Sequence, residues 1–256
     1  GERIMVRIIM HGCRGAMGRT ITELVRGQED IVIVAGVDPL GDGESEYPVY
    51  GSLEEVQEEG DVVVDFAAAA AVDHLLDFCA ARKLPVVLCT TGLSQEQLDK
   101  VFQAAKETAV LRSANMSLGV NLLMKLVQEA ARTLAGAGFD IEIVEKHHNQ
   151  KKDAPSGTAL ALADSINEAM KGAYHYEYDR SKRREKRDGK EIGISAVRGG
   201  SIVGEHDVIF AGTDEVVTFS HTAYSKAIFG KGALEAAKFL VGKAVGLYTM
   251  EDVIKG

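Results

Sequence analysis

The fold is decided by a glycine-rich stretch, His11-Gly12-Cys13-Arg14-Gly15-Ala16-Met17-Gly18, which follows an apolar segment at residues 6–10. Its glycines recur every three residues between a predicted strand and a predicted helix, a variant of the dinucleotide-binding turn. Gly12 allows the tight turn, Gly15 lets the backbone approach a pyrophosphate, and Gly18 lets helix and sheet pack closely. Amides at a helix start near Ala16 would hold the pyrophosphate. The stretch therefore predicts a dinucleotide site, although a purely structural turn has the same spacing.

Short apolar segments alternate with amphipathic ones on both sides of this turn. The apolar segments are too short for buried helices, so we predict strands at residues 6–10, 31–37, 62–66, 86–89 and 109–111. The amphipathic segments repeat apolar residues every three or four positions, which predicts helices at residues 19–26, 53–59, 72–82 and 95–107. Apolar strands separated by helices are typical of a parallel sheet covered on both faces. The pattern predicts a doubly wound, Rossmann-like α/β domain.

The second half of the chain has a different pattern of predicted helices and strands. Long helices are predicted at residues 117–134 and 156–170, and strands at residues 139–146, 192–197, 202–210 and 216–221. This predicts a smaller α+β domain with an open, mostly antiparallel or mixed sheet, whose free face meets another subunit. The last 30 residues return to helix, with an apolar face at residues 232–241. The predicted domains are residues 1–116 with 223–256, for the dinucleotide, and residues 117–222, for substrate binding and oligomerisation.

Composition excludes several classes of partner. The 256 residues carry a net charge of −9, which argues against a nucleic-acid partner. The basic run at residues 180–190 is short and lacks aromatic residues, so we expect a solvated loop there. No apolar run is long enough for a membrane span. Three cysteines without a CxxC pair indicate a reducing cytoplasm and neither a disulfide framework nor a metal site.

Polar residues follow several predicted strands. Asp38 comes 20 positions after Gly18, where a carboxylate can accept hydrogen bonds from the adenosine ribose; the alternative is a turn residue before Pro39. Ligands of parallel sheets bind at the carboxyl ends of the strands, which favours nicotinamide contacts from two further loops. Their residues, which could instead simply cap the loops, are Cys89, Thr90 and Thr91, and Ser113, Ala114, Asn115 and Met116.

The most unusual stretch is Glu145-Lys146-His147-His148-Asn149-Gln150-Lys151-Lys152-Asp153-Ala154-Pro155-Ser156-Gly157-Thr158. Its cationic side chains cluster at the end of a strand, and a helix start follows at Pro155. Free amides and the helix dipole favour an anion there. Histidine exchanges a proton near neutral pH, whereas lysine offers a fixed charge. The stretch predicts a carboxylate-binding site, with a surface loop as the alternative and no sensible third ligand for a metal.

These residues resemble a known family. The stretch from Glu145 to Ala159 is similar to the E-x-H-H-x-x-K-x-D-A-P-S-G-T-A signature of the 4-hydroxy-tetrahydrodipicolinate reductases, also called dihydrodipicolinate reductases. A second signature, R-x-G-x-I-V-G-E-H, is similar to the segment from Arg198 to His206. The glycine turn and the Thr-Thr-Gly element match in order, so the resemblance covers essentially the whole chain.

The resemblance implies a set of site residues. His147 takes the position of the proton donor or acceptor and Lys151 that of the second catalytic residue, while His148, Gly157 and Thr158 take substrate-carboxylate positions. The dinucleotide is expected to be surrounded by Gly12, Cys13, Arg14, Gly15, Ala16, Met17, Asp38, Cys89, Thr90, Thr91, Ser113, Ala114, Asn115 and Met116. Where the family usually has Asp-Phe-[Ser/Thr]-x-Pro, this chain has Asp65-Phe66-Ala67-Ala68-Ala69, and Cys89 replaces a usual glycine.

The implied reaction is NAD(P)H-dependent reduction of 4-hydroxy-tetrahydrodipicolinate, a cyclic dicarboxylate, to tetrahydrodipicolinate in diaminopimelate and lysine biosynthesis. Asp38 would repel a 2′-phosphate, and Pro39 supplies no offsetting cation, so NADH is expected to bind at least as well as NADPH. The resemblance also implies a homotetramer. The alternatives are another Rossmann reductase of an amino-acid-derived imine, and a dinucleotide-sensing protein, which would not need the His/Lys cluster.

Overall fold

A computed structural model describes residues 5–41 and 44–256. The chain divides into two compact units, Gly1–Leu118 with Lys226–Gly256, and Gly119–Ser225. The strands are β1 Val6–His11, β2 Ile31–Val37, β3 Val49–Tyr50, β4 Val62–Asp65, β5 Val86–Leu88, β6 Ala109–Arg112, β7 Asp140–His147, β8 His175–Glu177, β9 Glu191–Arg198, β10 Glu205–Ala211, β11 Val216–Thr222 and β12 Gly246–Tyr248. The α-helices are α1 Ala16–Val25, α2 Val72–Arg82, α3 Gln95–Ala104, α4 Leu118–Leu134, α5 Gly157–Ala169, α6 Ala227–Leu240 and α7 Met250–Lys255.

The first unit is built on a seven-stranded parallel sheet in the order β12-β6-β5-β4-β1-β2-β3. Side chains of the strands alternate between two cores. Ile8 and Met10 pack with residues of α1 and α6, whereas Ile9 and Val63 pack with residues of α2 and α3. Burying one such side chain contributes about 1.5–3 kcal/mol. Apolar side chains on both faces explain the continuous apolar strands, and the predicted doubly wound, Rossmann-like fold is confirmed.

The strand order reverses at β1, which has β2 on one side and β4 on the other. The carboxyl ends of β1 and β4 therefore flank the switch point of the sheet. Open α/β sheets bind their ligands in the crevice outside the strand ends at this point. The last residues of these two strands are His11 and Asp65.

The second unit contains a five-stranded mixed sheet in the order β11-β10-β7-β9-β8. Strand β10 is antiparallel to β7 and β11, whereas β9 is parallel to β7 and β8. Along β7, Ile141, Ile143 and Glu145 are buried, while the residues between them are half-exposed. Helices α4 and α5 contribute Val127 and Leu162 to the core on this face. The predicted alternation of β7 and the mixed sheet are both present.

One predicted helix is wrong. Residues 53–59 form only a short 3-10 turn, Leu53–Glu55, after which the backbone becomes extended at Val56. Glutamates at 54 and 58, and at 55 and 59, would stand four residues apart on a helix, where like charges repel. The Glu55 carboxylate instead accepts a hydrogen bond from the Gly51 amide. The short strands β3, β8 and β12 and helix α7 have no matching sequence prediction.

The basic run is not simply a solvated loop, because three of its arginines fold back onto the second sheet. Arg180 Nε donates to Glu191 Oε1 at 2.6 Å, and Arg183 donates to Glu191 Oε2 at 3.0 Å. Arg187 contacts Asp140 and Glu142. Glu191 is completely buried, so its charge requires these partners. Burial alone would raise the pKa of the Glu191 carboxyl, but the hydrogen bonds from Arg183 and Arg180 hold it below its usual value.

The described residues contain neither a membrane-spanning helix nor a metal-binding cluster. No helix in residues 5–41 and 44–256 is long and apolar enough to cross a membrane. Over the same ranges, no cluster of histidine, cysteine, aspartate and glutamate could hold a metal ion.

Candidate active site

The glycine turn joins β1 to α1 in the conformation that its sequence requires. Gly12 has a φ of +82°, and a Cβ there would lie 2.7 Å from the Phe66 carbonyl oxygen. A Cβ on Gly18 would collide with the Gly12 carbonyl, so the turn packs directly against the first turn of α1. Helix α1 begins at Ala16, after the N-cap residue Gly15. These features leave the amide-rich helix start accessible to an anion, as the dinucleotide prediction requires.

Asp38 stands at the end of β2 beside this turn. Its carboxylate is almost buried and accepts hydrogen bonds from the amides of Arg14, at 3.0 Å, and Leu40, at 3.1 Å. The Arg14 guanidinium donates to backbone carbonyls of Gly41 and Glu44, in the loop after Asp38. A cavity of about 450 Å³ is lined by His11, Gly12, Gly15, Val37, Asp38, Pro39, Gly51, Ser52, Leu53, Ala67, Ala68, Ala71 and His74. Three of the predicted dinucleotide residues therefore meet at one cavity.

The thiols of the first unit lie in its cores. The Cys13 and Cys89 side chains are buried in the α1/α6 core, and Cys79 is buried in the α2/α3 core. Burial, with a further contribution from the Asp65 charge, raises the pKa of the Cys89 thiol. Burial likewise raises the pKa of Cys13 and Cys79. The side chain of Cys89, which stands where the family usually has glycine, therefore points into the core.

The remaining strand-end residues have local partners. Thr90 is buried and donates to Asp65 at 2.6 Å, whereas Thr91 is exposed. Ser113 Oγ accepts from the Met250 amide at 2.6 Å, and Asn115 Oδ1 accepts from the Ser117 amide at 2.8 Å. These bonds match the loop-capping alternative for Ser113 and Asn115. Contact of this loop with the dinucleotide remains a prediction.

In the second unit, a buried carboxylate organises the signature residues. Glu145 is completely buried and accepts from His147 Nδ1 at 2.6 Å and from the Ser156 amide at 2.9 Å. The Arg198 guanidinium donates to both carboxylate oxygens at 2.7 Å, a bidentate pair. Burial raises the pKa of Glu145, but the bonds from Arg198, His147 and Ser156 outweigh it and hold the pKa below its usual value. Glu145 therefore stays ionised and fixes the imidazole of His147.

A second histidine lies against His147. The His206 ring is 5.2 Å from the His147 ring, edge to face, and its Nε2 is 2.7 Å from the Ser156 hydroxyl. Burial, helped by the charge of His147, lowers the pKa of His206 to about 4. His206 is therefore neutral near pH 7. On the other side, a Cβ on Gly204 would lie 3.2 Å from His147 Nε2, so glycine keeps space beside this nitrogen.

The cationic side chains of the signature stretch do not all lie on the same face of the second sheet. Lys146 is on the opposite face of β7 from His147 and pairs with Glu205 at 3.0 Å, so it does not belong to the predicted cluster. Strand alternation places successive side chains on opposite faces, which is the physical reason. Lys151 is half-buried and contacts Asp153 at 2.8 Å, whereas Lys152 is exposed.

The predicted carboxylate positions lie where the loop enters α5. Gly157 and Thr158 are the first residues of α5, whose N-cap Ser156 accepts from the Ala159 amide. His148 follows the end of β7 and is half-buried. The residues from 147 to 158 thus bring histidine, lysine and a helix N-terminus into one segment, as the sequence predicts.

Two family models match nearly the whole chain. "Dihydrodipicolinate reductase, N-terminus" matches residues 6–116, and "Dihydrodipicolinate reductase, C-terminus" matches residues 119–254. The chain belongs to the dihydrodipicolinate reductase family. The resemblance inferred from the signature residues is therefore confirmed.

Individual family members are similar to this chain over nearly their full length. A protein of Caldanaerobacter subterraneus subsp. tengcongensis named 4-hydroxy-tetrahydrodipicolinate reductase is 56% identical, with 98% of this chain and 99% of the relative covered. A Clostridium novyi protein of the same name is 48% identical at the same coverage. The solved dipicolinate-bound dihydrodipicolinate reductase from Paenisporosarcina sp. TG-14 matches with a TM-score of 0.82 and 27% identity, covering 97% of this chain and 99% of that one.

Sequence reasoning missed the hydrogen-bond partners of the family's signature histidine. Alternation along β7 places Glu145 on the same face as His147, and this signal was available. The role of Arg198 was not, because it depends on the register of β9 against β7, 53 residues away in sequence. His206 is brought to His147 by the β7–β10 pairing.

Proposed function

We propose that this protein is an NAD(P)H-dependent oxidoreductase that reduces 4-hydroxy-tetrahydrodipicolinate to tetrahydrodipicolinate in diaminopimelate and lysine biosynthesis. The observation that carries the proposal is the Glu145–His147 pair beside the start of α5, in a chain 56% identical to a relative with this name. The alternative imine reductases and a dinucleotide sensor have no observation of their own in their favour. A thiol nucleophile, as in semialdehyde dehydrogenases, is disfavoured because all three cysteines are buried.

His147 is assigned the proton transfer. With Nδ1–H held by the Glu145 carboxylate, Nε2 is the ring atom that exchanges a proton with substrate. The Glu145 carboxylate holds the imidazole in place, so that Nε2 can give its proton to the carbon of the substrate ring next to the one that receives hydride. The neutral His206 adds no competing positive charge.

Substrate carboxylates are assigned to the start of α5 and to His148, and Lys151 is assigned as the second catalytic residue beside them. The amides of Gly157 and Thr158 belong to the first turn of α5, where the helix dipole favours negative charge. Lys151 and His148 add cationic or donor groups on the preceding loop. A cyclic dicarboxylate fits these two anchors, and the related Paenisporosarcina structure is described as dipicolinate-bound. Holding both carboxylates fixes the ring for reaction.

The first unit is assigned the dinucleotide, which supplies a hydride when bound. Its residues fit such a group. The turn at Gly12 and Gly18 leaves no room for side chains, and the backbone amides of the first turn of α1 can donate to the diphosphate. Asp38 would accept hydrogen bonds from the adenosine ribose and repel a 2′-phosphate. We therefore propose NADH as a cofactor at least as good as NADPH.

We also propose a homotetramer in the cytoplasm. The support is an outward sheet face in the second unit on which apolar residues such as Val197 and Val216 are exposed. Exposed apolar side chains on an open sheet face favour an interface with another subunit. The second unit is thereby assigned both substrate binding and oligomerisation.

The experiment that tests the proposed function is turnover with freshly generated substrate. We expect oxidation of NADH that depends on added 4-hydroxy-tetrahydrodipicolinate, with tetrahydrodipicolinate as the product. Turnover of a different cyclic imine but not this one would favour the other reductases. NADH binding without turnover of any imine would favour the sensor.

A further inference from the structure

Three neighbouring parallel strands of the first unit end in a chain of hydrogen-bonded side chains. His11 ends β1, Asp65 ends β4, and Thr90 follows β5. His11 and Asp65 are register partners, and His11 Nδ1 lies 2.7 Å from Asp65 Oδ1. Thr90 Oγ1 donates to Asp65 Oδ2 at 2.6 Å. The three side chains therefore cross the switch point at which α/β sheets bind ligands.

Asp65 is the centre of this chain and is completely buried. It accepts a third hydrogen bond from the Ala67 amide at 3.2 Å. Within residues 5–41 and 44–256, no lysine or arginine pairs with Asp65, and the one basic side chain that contacts it is His11. A buried carboxylate is costly unless it is paired and hydrogen-bonded. The Asp65 carboxylate can only accept, so the 2.7 Å contact places a proton on Nδ1 of His11.

His11 also lines the 450 Å³ cavity, together with Gly12, Gly15 and Asp38. Nδ1 is committed to Asp65, whereas Nε2 has no hydrogen-bond partner in the described part of the chain. Ala67 and Ala68, which also line the cavity, carry only methyl groups. Among the described residues that line the cavity, His11, Ser52 and His74 have side chains that can donate to an anion, and of these His11 is adjacent to the glycine turn in sequence.

We propose that His11 is a dinucleotide-contacting residue whose Nε2 donates a hydrogen bond to a diphosphate oxygen, and that Asp65 is the positioning residue that holds the ring for this contact. Thr90 orients Asp65 from the other side. The buried carboxylate accepts from Nδ1 on one edge of the ring, and the diphosphate supplies the acceptor for Nε2 on the opposite edge. This inference rests on the proposed function in one respect, namely that the ligand of the first unit is a dinucleotide.

The decisive variant is His11→Asn. The asparagine amide can replace Nδ1 as the donor to Asp65, so the buried carboxylate keeps a partner, but nothing replaces Nε2. Calorimetric titration with NADH, ADP-ribose and adenosine locates the lost contact. We expect NADH and ADP-ribose to bind about tenfold more weakly, or 1.4 kcal/mol, and adenosine to bind as to the wild-type protein.

His74→Gln is the matched control, because His74 lines the same cavity but engages Glu54 at 2.6 Å. We expect its ADP-ribose affinity to stay within about twofold of wild type. Unchanged ADP-ribose affinity in His11→Asn would overturn the proposal, as would equal losses in both variants. A loss for NADH alone would place the contact at the nicotinamide end and would also overturn it. Failure of the wild-type protein to bind NADH or ADP-ribose would instead contradict the proposed function.

The positioning role of Asp65 is tested by a double-mutant cycle. If Asp65 acts through His11, Asp65→Asn weakens ADP-ribose binding in the wild-type background but has little further effect in His11→Asn. Equal losses in both backgrounds would mean that Asp65 has only a structural role, and would contradict this part of the proposal.

Discussion

Replacing Glu145 by glutamine tests whether this buried carboxylate positions His147 in the second unit. The change keeps the size of the side chain but removes the charge that receives bonds from His147, Arg198 and Ser156. Charge-assisted hydrogen bonds contribute about 1.5–3 kcal/mol. If the bond to His147 is present in the transition state, its loss lowers kcat by about 10- to 150-fold, at 1.36 kcal/mol per factor of ten.

The same change destabilises the fold, because Arg198 loses its carboxylate. Breaking a buried pair costs about 3–5 kcal/mol, and we expect about 3 kcal/mol because Arg198 keeps the carbonyls of Val197 and Asp153. For a chain of this size that lowers Tm by about 6–12 °C. Kinetics must therefore be measured well below the Tm of the variant, with thermal unfolding followed in parallel.

Glu142→Gln is the matched control for this substitution. Glu142 is on the other face of β7 and is also paired with arginine, but it does not contact His147. We expect it to lower Tm without lowering kcat. A folded Glu145→Gln protein with kcat within about twofold of wild type would show that Glu145 does not assist His147, as would equal losses of kcat in both variants.

Three further predictions concern the cofactor, the glycine turn and the assembly. Because Asp38 would repel a 2′-phosphate, NADH should bind at least as tightly as NADPH in fluorescence titrations; NADPH binding about tenfold tighter, or 1.4 kcal/mol, would contradict this. Gly12→Ala should reduce the free energy of unfolding by at least about 1–2 kcal/mol, because φ is +82° and its Cβ would meet the Phe66 carbonyl; an unchanged denaturation midpoint would contradict it. Light scattering should give about four times the 27.5 kDa chain mass, and a monomer at micromolar concentration would contradict the tetramer.

Local patterns in the sequence predict much of the fold. Three patterns were sufficient: the β-branched segments, the three-residue glycine spacing and the alternation of β7. Each depends on residues that are close in sequence, or on whether a side chain is buried or exposed. The predicted helix at residues 53–59 failed because apolar spacing at Leu53 and Val56 was outweighed by repeated glutamates. The two-residue strand β3 is too short to produce a pattern.

Long-range pairings explain what the sequence could not show. Lys146 and His147 are adjacent in sequence, but the sheet separates them onto opposite faces. Arg198 reaches Glu145 only through the register of two distant strands. In the sequence, His11 is only the residue before Gly12, because its partner Asp65 lies 54 residues away. Clusters of this kind depend on which strand ends become neighbours, and single segments carry no information about that.

Proton transfer by His147 is the step on which the proposed mechanism depends, and the turnover rate of His147→Gln measures it. At saturating NADH and freshly generated 4-hydroxy-tetrahydrodipicolinate, we expect kcat to fall by about 10²-fold or more, with NADH affinity unchanged. Lys151→Ala should also lower kcat, whereas Lys152→Ala, at an exposed position, should leave it close to wild type. If His147→Gln instead retains near-normal kcat and shows only a raised KM that added salt reproduces in the wild-type protein, the cluster merely attracts the substrate and the catalytic assignment is wrong.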